Sequence, residues 1–345
     1  MRGTNISVND CQPGMKMAET IFNQYGAVIV GEGTILDQHL ISKIQRLGID
    51  KIKIIDFTEK SLRDNSFEIF KAQYNENLGT VKSILHDISI GKNVDVVKIN
   101  KVARSISMKI NDNRDIVNSI NQIRQVDEYT YTHSLNVSML CMLIGKWLKY
   151  DLKNLGMLIQ AGLLHDIGKG KIDPEIINKP LPLDDDEYEI MKKHTLYGYM
   201  LTEGLAGINE DVRKGVLMHH EREDGSGYPL GAKGDQIHGF AKIIAVADIY
   251  DAMTSNRSYR HRQSPFEVFE MMENNTFGIL DTRVVKVFLG NMAAYYIGDF
   301  VKLNTGNIGE IVYINPMRIS QPIVRVKDIY TDLAEETKIK ILELV

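Results

Sequence analysis

The sequence predicts a mainly α protein with a small α/β module at its N-terminus and a small β unit at its C-terminus. Three observations indicate this fold class. Apolar residues recur every three or four positions over most of the chain, which is the period of one helix face. Short apolar runs separated by glycines precede that region, and strand-like alternation follows it. A length of 345 residues is enough for two or three domains with buried cores.

Residues 1–60 form the predicted α/β module, to which the sequence assigns no role. The run GAVIVGEGTIL, residues 26–36, predicts a pair of strands, and IDKIKII, residues 49–55, predicts another strand. Between them, DQHLISKIQRLG begins with a capping aspartate and ends at Gly48, so it predicts a helix.

Residues 61–112 form a predicted helical connector. Its second helix is marked by Val102, Ile106 and Ile110. Its first helix should end at Gly91, and it carries an apolar stripe that consists of Phe67, Phe70, Tyr74, Leu78, Val81, Leu85 and Ile88. This stripe could pair two chains in a homodimer or pack on its own domain, and both readings stay open.

Helical patterning continues through residues 113–293, which we predict to be one helical domain. The pattern changes after Tyr296. The runs DFVKLNTGNIGEIVYINP and PIVRVKD alternate in the manner of strands around an Asn-Thr-Gly turn. Residues 294–345 are therefore predicted to form the closing β unit.

The overall composition limits the class of partner. Charged residues make up 25% of the chain and the net charge is −4, so no DNA or RNA polymer is expected as a partner. No apolar run is long enough for a membrane span, and the N-terminus lacks the layout of a signal peptide. The two cysteines, Cys11 and Cys141, form no spaced motif. They favour a reducing compartment, so a cytoplasmic location is expected.

Two His-Asp pairs raise the question of a metal site. In LHDISIGK the pair is His86 and Asp87, and it lies beside the apolar stripe of the first connector helix. We interpret this pair as a partly solvated helix flank. In LHDIGKGK the pair is His165 and Asp166, which end an apolar helix segment just before two glycines. Polar groups at such a position are costly to bury unless something satisfies them.

The second pair has further potential ligands elsewhere in the chain. They share the same setting, an ionisable group beside an apolar segment, and they are His133, His194, His219, His220 and Asp248. Five histidines and two aspartates exceed the needs of one ion, whereas they suit two ions that share a carboxylate. Imidazole suits Fe, Mn, Zn and Ni, and carboxylate suits harder ions such as Mn. The sequence therefore predicts two divalent transition-metal ions, and these donors leave Fe, Mn, Zn and Ni open.

Two motifs resemble the signatures of the HD-GYP family, a branch of the HD phosphohydrolase superfamily. LLHDIGK supplies the His-Asp doublet and Lys169, and HHEREDGSGYP supplies His219, His220, Glu221 and then Asp224 to Pro229. The run VADIYDAMTSNRSYR is similar to the closing helix of the family, with Asp248, Asp251, Arg257, Tyr259 and Arg260. The resemblance covers about residues 113–292.

The resemblance implies an all-helical HD-type bundle that hydrolyses cyclic di-GMP to pGpG, GMP or both. It also favours Fe or Mn as the two divalent ions, with Zn or Ni possible, and it implies which residues hold each metal. One ion would be held by His133, His165, Asp166 and Asp248. The other would be held by Asp166, as the bridge, with His194, His219 and His220.

The expected chemistry is attack on phosphorus by a metal-bridging hydroxide. Lys169 could stabilise charge on the phosphate or could simply interact with a helix end. Asp251 lies one helical turn from Asp248 and could orient either the water or a metal ligand. Arg257 and Arg260 are candidates to bind the phosphates of the substrate. Tyr228 could pack on the substrate or hold its own loop.

One position departs from the family pattern. Some members carry a glutamate four residues before the first ligand histidine, where it helps to bind a third metal, whereas this chain has Tyr129 there. Glu128 is one residue away and would point about 100° aside on a helix. Two metals are therefore expected. Two alternatives to the phosphodiesterase remain, a sensor that binds the cyclic dinucleotide without cutting it and a hydrolase of another nucleotide.

Overall fold

The computed structural model describes residues 3–11, 13, 15–22, 28–55, 57–92, 95–108, 116–117, 120, 129–255, 262–275 and 278–345. Contacts divide the chain into two compact units, Met1–Phe70 and Lys71–Val345. The prediction of a mainly helical protein with small α/β and β parts is confirmed. The domain boundaries predicted at residues 60, 112 and 293 stay predictions. No helix in the described ranges has the length and apolar character needed to cross a bilayer.

The described residues of the N-terminal unit form two small antiparallel sheets. One sheet has the order β1–β5–β2, and the other pairs β3 with β4. The strands are β1 (Gly3–Ser7), β2 (Lys16–Met17), β3 (Ile21–Phe22), β4 (Val28–Val30) and β5 (Lys51–Ile55). Helix α1 (Gln38–Arg46) begins where the Asp37 side chain accepts a hydrogen bond from the Leu40 N–H. The core of the N-terminal unit includes Val8, Met17, Leu36, Ile44 and Ile52.

The strand pair predicted within residues 26–36 is wrong. Of the described residues there, only β4 forms a strand, and its partner is β3, which precedes it in the chain. The second half of the run turns at Gly31–Gly33 and makes a single bridge from Ile35 to Lys16. Leu36 is buried as a core residue immediately before α1. Its apolar character therefore reflects burial beside a helix start and not a strand.

The helical patterning predicted for this region is confirmed by a series of α-helices. The predicted connector contains α2 (Phe57–Ser89), which begins in the first unit, and α3 (Val96–Met108). The remaining helices are α4 (Tyr129–Trp147), α5 (Leu152–Leu164), α6 (Pro174–Ile177), α7 (Asp185–Lys192), α8 (His194–Glu203), α9 (Glu210–Met218), α10 (Gly239–Thr254), α11 (Pro265–Asn275) and α12 (Thr282–Met292). Of the predicted connector residues, Ile110 lies outside the described ranges.

Helix α4 is the centre of the helical bundle. From Leu135 to Ile144 nearly every side chain is buried, because α5 packs on one side of the helix and α10 on another. Helix α5 in turn contacts α3 and α9. A helix that is apolar around most of its circumference is expected at such a buried position. The arrangement places His133, in the second turn of α4, beside His165 at the end of α5.

The β unit is a five-stranded antiparallel sheet with the order β10–β6–β7–β8–β9. Its strands are β6 (Phe300–Leu303), β7 (Ile308–Asn315), β8 (Arg318–Val326), β9 (Ile329–Asp332) and β10 (Ile341–Leu344). The predicted turn joins β6 to β7, and Gly306 has the positive φ of 83° that such a turn requires. Glu273 of α11 accepts hydrogen bonds from the N–H groups of Ile319 and Ser320 and ties the sheet to the helices.

Candidate metal centre

The seven residues predicted as ligands converge on one place in the helical bundle. His133 and Asp248 project from the interiors of α4 and α10, while the other ligands lie at helix ends. Within each of two groups, the potential ligand atoms all lie within 4.8 Å of one another. One group is His133, His165 and Asp248, and the other is Asp166, His194, His219 and His220.

Asp166 lies between the two groups. Its Oδ1 atom is 3.4 Å from His194 Nε2 and 3.9 Å from His219 Nε2. Its Oδ2 atom is 3.3 Å from His165 Nε2 and 3.7 Å from His133 Nε2. A carboxylate can accept at both oxygens. The orientation is therefore compatible with the bridging role that the resemblance implies for Asp166.

Three of the histidines are oriented by their own stretch of backbone. Nδ1 of His165 lies 2.8 Å from Gly162 O, and the corresponding distances are 2.7 Å for His194 to Met191 O and 2.7 Å for His219 to Val216 O. A carbonyl oxygen only accepts, so each Nδ1 must carry the hydrogen. In the neutral ring, Nε2 then presents a lone pair to the centre, which is the state that binds metal.

His133 is oriented by a carboxylate instead. Its Nδ1 lies 2.8 Å from Asp251 Oδ2, and its Nε2 lies 3.1 Å from Asp248 Oδ1. Asp251 is fully buried and also accepts a hydrogen bond of 3.1 Å from Asn136 Nδ2. Of the two roles considered for Asp251, this position favours orientation of a ligand histidine over orientation of water.

Burial and charge set the protonation of the site. Burial lowers the pKa of His194 to about 4 and that of His220 to about 3, so both rings are neutral at pH 7. Burial also lowers the pKa of His133, but the hydrogen bonds to Asp248 and Asp251 outweigh it and raise the pKa to about 9. Burial raises the pKa of Asp166, whereas Lys169 and the nearby histidines hold it well below its usual range.

Several observations test whether these residues fit a bound cation. His165 Nε2 and Asp166 Oδ1 are buried and make no hydrogen bond to any residue in the described part of the chain. His194 Nε2 and His219 Nε2 lie 3.4 Å apart. With both Nδ1 atoms protonated, these two lone pairs face each other, which is unfavourable unless a cation lies nearby. Imidazole and carboxylate donors suit Fe, Mn, Zn and Ni, so the residues fit divalent transition metals.

Two glycines let the backbone approach closely at the site. A Cβ atom on Gly168 would lie 1.9 Å from His194 O, so only glycine allows the segment Ile167–Lys171 to pack against the start of α8. A Cβ atom on Gly227 would lie 2.5 Å from His220 O. The glycines of both motifs therefore let the segments that carry potential metal ligands pack against their neighbours.

The loop of residues 224–229, called here the GYP loop, folds back on His219 and His220. Glu221 is buried, and its carboxylate accepts hydrogen bonds of 2.7 Å from Leu230 N–H and 2.9 Å from Ala232 N–H. Tyr228 donates its N–H to His220 O at 3.2 Å, and its ring stacks on the ring of His220. Tyr228 therefore packs on a potential ligand as well as holding its own loop.

The other predicted site residues have different outcomes. Lys169 Nζ lies 2.6 Å from Asp166 Oδ2, so it contacts the carboxylate between the two groups. Arg257, Tyr259, Arg260 and Glu128 lie outside the described residues. Tyr129 is the first residue of α4.

The first His-Asp pair lies on the exposed side of α2. His86 is exposed, and Asp87 forms ion pairs of 3.0 Å with Lys98 and 3.7 Å with Lys92. Neither residue belongs to a potential metal-binding group among the described residues. This position is consistent with the predicted solvated helix flank.

Four residues beside the site were not predicted from the sequence. Asn136 contacts Asp251, and Tyr74 contacts Asn136. Lys192 Nζ lies 4.9 Å from the ring centroid of Tyr188 and 5.8 Å from that of Tyr228. Tyr188 and Lys192 are four residues apart just before His194, a spacing that places two side chains on the same face of a helix.

Comparison with known proteins gives a family match and several curated relatives. The HD domain family matches residues 106–284, just over half of the chain. "Cyclic di-GMP phosphodiesterase PA4108" of Pseudomonas aeruginosa is 31% identical over 71% of this chain and 59% of its own length. "3'3'-cGAMP-specific phosphodiesterase 1" of Vibrio cholerae is 35% identical over 51% of this chain and 41% of its own length.

A third relative covers the same share of this chain as the second. "Cyclic di-GMP phosphodiesterase" of Thermotoga maritima is 35% identical over 51% of this chain and 47% of its own length. The chain thus spans about half the length of the curated relatives it matches.

Proposed function

The chain belongs to the HD domain family, in its HD-GYP branch, and from this premise we propose that it is a metal-dependent phosphodiesterase acting on cyclic di-GMP. The proposed products are pGpG, GMP or both. The family match, the names of two relatives and the geometry of the candidate centre support this assignment.

The convergence of two ligand groups on Asp166 is the observation that carries the proposal. One ion would be held by His133, His165, Asp166 and Asp248, and the other by Asp166, His194, His219 and His220. When bound, the two cations would supply Lewis-acid activation of water and of the phosphodiester. Iron or manganese is the proposed metal, with zinc or nickel as alternatives of suitable chemistry.

The chain itself contributes orientation and charge. Asp251 holds the hydrogen of His133 on Nδ1 and keeps Nε2 directed at the centre. Lys169 places an ammonium group beside Asp166, where it can also approach an anionic phosphate. Three side chains beside the second ligand group, Tyr188, Lys192 and Tyr228, offer aromatic surface and positive charge. Such a combination suits the bases and phosphates of a dinucleotide.

Substrate contacts other than those of Tyr188, Lys192 and Tyr228 are proposed from the resemblance to the HD-GYP family. Arg257 and Arg260 would bind the phosphates of cyclic di-GMP through their planar guanidinium groups. A second candidate substrate is 3'3'-cGAMP, because one similar protein is named for that activity. The two dinucleotides differ in one base, so the distinction would depend on base contacts and not on the metal centre.

A direct assay tests the proposal. The manganese-loaded full chain is incubated with cyclic di-GMP and, in parallel, with 3'3'-cGAMP, and the products are separated by anion-exchange chromatography. Conversion of cyclic di-GMP to pGpG or GMP is expected, with slower conversion of 3'3'-cGAMP. Binding of cyclic di-GMP without conversion would make the protein a sensor. Cleavage of another nucleotide only would assign it a different substrate.

A further inference from the structure

A continuous chain of hydrogen bonds runs from α2 to the ligand His133. Tyr74 donates its hydroxyl to Asn136 Oδ1 at 2.9 Å, and Asn136 Nδ2 donates to Asp251 Oδ1 at 3.1 Å. The other oxygen of Asp251 lies 2.8 Å from His133 Nδ1. All four side chains are less than 5% exposed. Water therefore has little access to replace any of these bonds.

The chemistry of the groups fixes the direction of the chain. An ionised carboxylate only accepts, so Asn136 must present its amide Nδ2 to Asp251 and its oxygen to Tyr74. The tyrosine hydroxyl then stabilises the orientation of the amide in which Nδ2 faces Asp251. Without that hydroxyl, the amide oxygen of Asn136 would lose a buried donor.

His133 differs in this respect from three other ligands of the candidate centre. His165, His194 and His219 are each oriented by a carbonyl three residues earlier in the chain. His133 instead depends on Asp251 of α10, which depends on Asn136 of α4, which contacts Tyr74 of α2. The orientation of this one ligand is therefore set by tertiary structure.

We propose that Tyr74 is a positioning residue for the metal ion held by His133, His165, Asp166 and Asp248, acting through Asn136 and Asp251. Tyr74 precedes the segment 106–284 that matches the HD domain, so the family motifs do not identify it. The inference rests on the proposed metal centre. It assigns α2 a part in metal affinity and not only in packing.

Substitution of Tyr74 by phenylalanine tests the role of the hydroxyl. The change keeps the buried ring and removes only the donor, so the fold should be retained. Loss of an outer partner of a ligand typically lowers metal affinity by about 10–100-fold. Tyr74 is separated by two hydrogen bonds from Asp251, the direct partner of His133. We therefore expect the affinity for one of the two ions to fall by about 10-fold, near the lower limit of that range.

The chelator-treated full chain is titrated with Mn²⁺ alone, and isothermal titration calorimetry measures the affinity of each equivalent. Tyr296→Phe is the matched control, because Tyr296 is equally buried and its hydroxyl lies 2.7 Å from that of Tyr250. Tyr74→Phe should weaken one equivalent of Mn²⁺ and leave the other unchanged. Tyr296→Phe should weaken neither. An equal loss in both variants would mean that a buried hydroxyl matters only for general stability and would overturn the proposal.

A double substitution tests the route. If Tyr74 acts through Asn136, Tyr74→Phe should have no further effect on Mn²⁺ affinity in an Asn136→Ala background. Additive losses would refute that route, as would a Tyr74→Phe variant with unchanged affinity. Should Tyr74→Phe fail to fold, Asn136→Ala alone must still weaken one equivalent selectively, and an unchanged affinity would reject the proposal. A wild-type chain that binds no Mn²⁺ would instead reject the proposed metal centre itself.

Discussion

The ring of Tyr228 stacks on the ring of His220, with their centroids 4.8 Å apart and their planes 29° from parallel. His220 is a proposed metal ligand, so the tyrosine of the GYP loop packs directly on the proposed metal centre. The loop is held in place by the hydrogen bonds of Glu221 to Leu230 and Ala232. The stack thus connects loop conformation with ligand position.

Two substitutions of Tyr228 should distinguish the contribution of its ring to activity from that of its hydroxyl. Tyr228→Phe keeps the stack and should retain both metals and a kcat/KM within about 2-fold of the wild type. Tyr228→Ala removes an aromatic contact of about 0.5–1.5 kcal/mol, so kcat/KM should fall by roughly 2–10-fold or more. Steady-state kinetics with cyclic di-GMP measure both. A large rise in KM for Tyr228→Phe would show that the hydroxyl contacts the substrate and that the stack is not the main contribution.

The two His-Asp pairs provide matched substitutions. His165→Ala should remove most of the bound metal, because His165 presents its Nε2 lone pair to the centre. His86→Ala and Asp87→Ala should leave the metal content unchanged, because that pair lies on the solvated flank of α2. Elemental analysis of protein purified without chelator gives the comparison. Equal losses from both pairs would contradict the assignment of the site.

Asp166→Asn should affect both ions. The amide keeps the size of the side chain but removes the negative charge that lies between the two ligand groups. We expect the variant to stay folded, to lose most of one metal equivalent and to hydrolyse cyclic di-GMP at least about 100-fold more slowly. His194→Ala should retain one ion more readily. Two metals and near-normal turnover in Asp166→Asn would exclude its bridging role.

The close approach at Gly168 predicts a sharp difference between neighbouring glycines. Gly168→Ala would place a methyl group 1.9 Å from His194 O, so the segment must move and stability should fall by about 1–3 kcal/mol or more. Gly170→Ala meets only Ile88 Cγ2, at an ordinary 3.4 Å, and should change stability by less than about 0.5 kcal/mol. Urea unfolding measures stability, and elemental analysis should show metal loss only for Gly168→Ala. Similar behaviour of the two variants would argue against the tight backbone contact.

The metal-free chain should lose stability as the pH falls from about 6.5 to about 4.5. An unfolded histidine has a pKa of about 6.5, whereas burial lowers the pKa of His194 to about 4 and of His220 to about 3. Between these pH values the unfolded chain therefore binds more protons than the folded chain. The free energy of unfolding consequently decreases as the pH decreases. His133, with its pKa raised to about 9, loses stabilisation only above about pH 6.5 and does not oppose the trend.

Chemical unfolding of chelator-treated protein at several pH values measures this dependence. His220→Asn removes one of the groups that take up a proton on unfolding, so its decline should be shallower. A free energy of unfolding that stays constant or rises toward pH 4.5 would contradict the neutral state assigned to these rings.

The helical fold and the positions of the metal-binding candidates could be predicted from the sequence for the same reason. Both leave local patterns, an apolar period for helices and ionisable groups placed at the ends of apolar segments, as at His165 and Asp166. Gly168 and Gly227 lie within recognisable motifs, although only the structure shows which backbone atoms they approach.

The partners behind His133 could not be predicted. Tyr74 and Asn136 are 62 positions apart and Asn136 and Asp251 are 115 apart, so their hydrogen bonds depend on how α2, α4 and α10 pack. In the sequence, Tyr74 is one apolar residue of a stripe and Asn136 is one polar residue within an apolar helix. Tertiary packing also explains why the strand pair predicted in residues 26–36 is wrong. Leu36 is apolar because it is buried in the core, not because it belongs to a strand.

The different orientation of the histidines bears on how such a centre can change during evolution and how it can be rebuilt by design. His165, His194 and His219 each carry their orienting carbonyl within the same turn of chain. A helix end of this kind can be grafted into another helical framework with its imidazole still correctly aimed. His133 can be transferred only together with matching residues on α2 and α10. Sequence changes in those two helices are therefore expected to disturb the orientation of His133, whereas His165, His194 and His219 keep their orienting carbonyls.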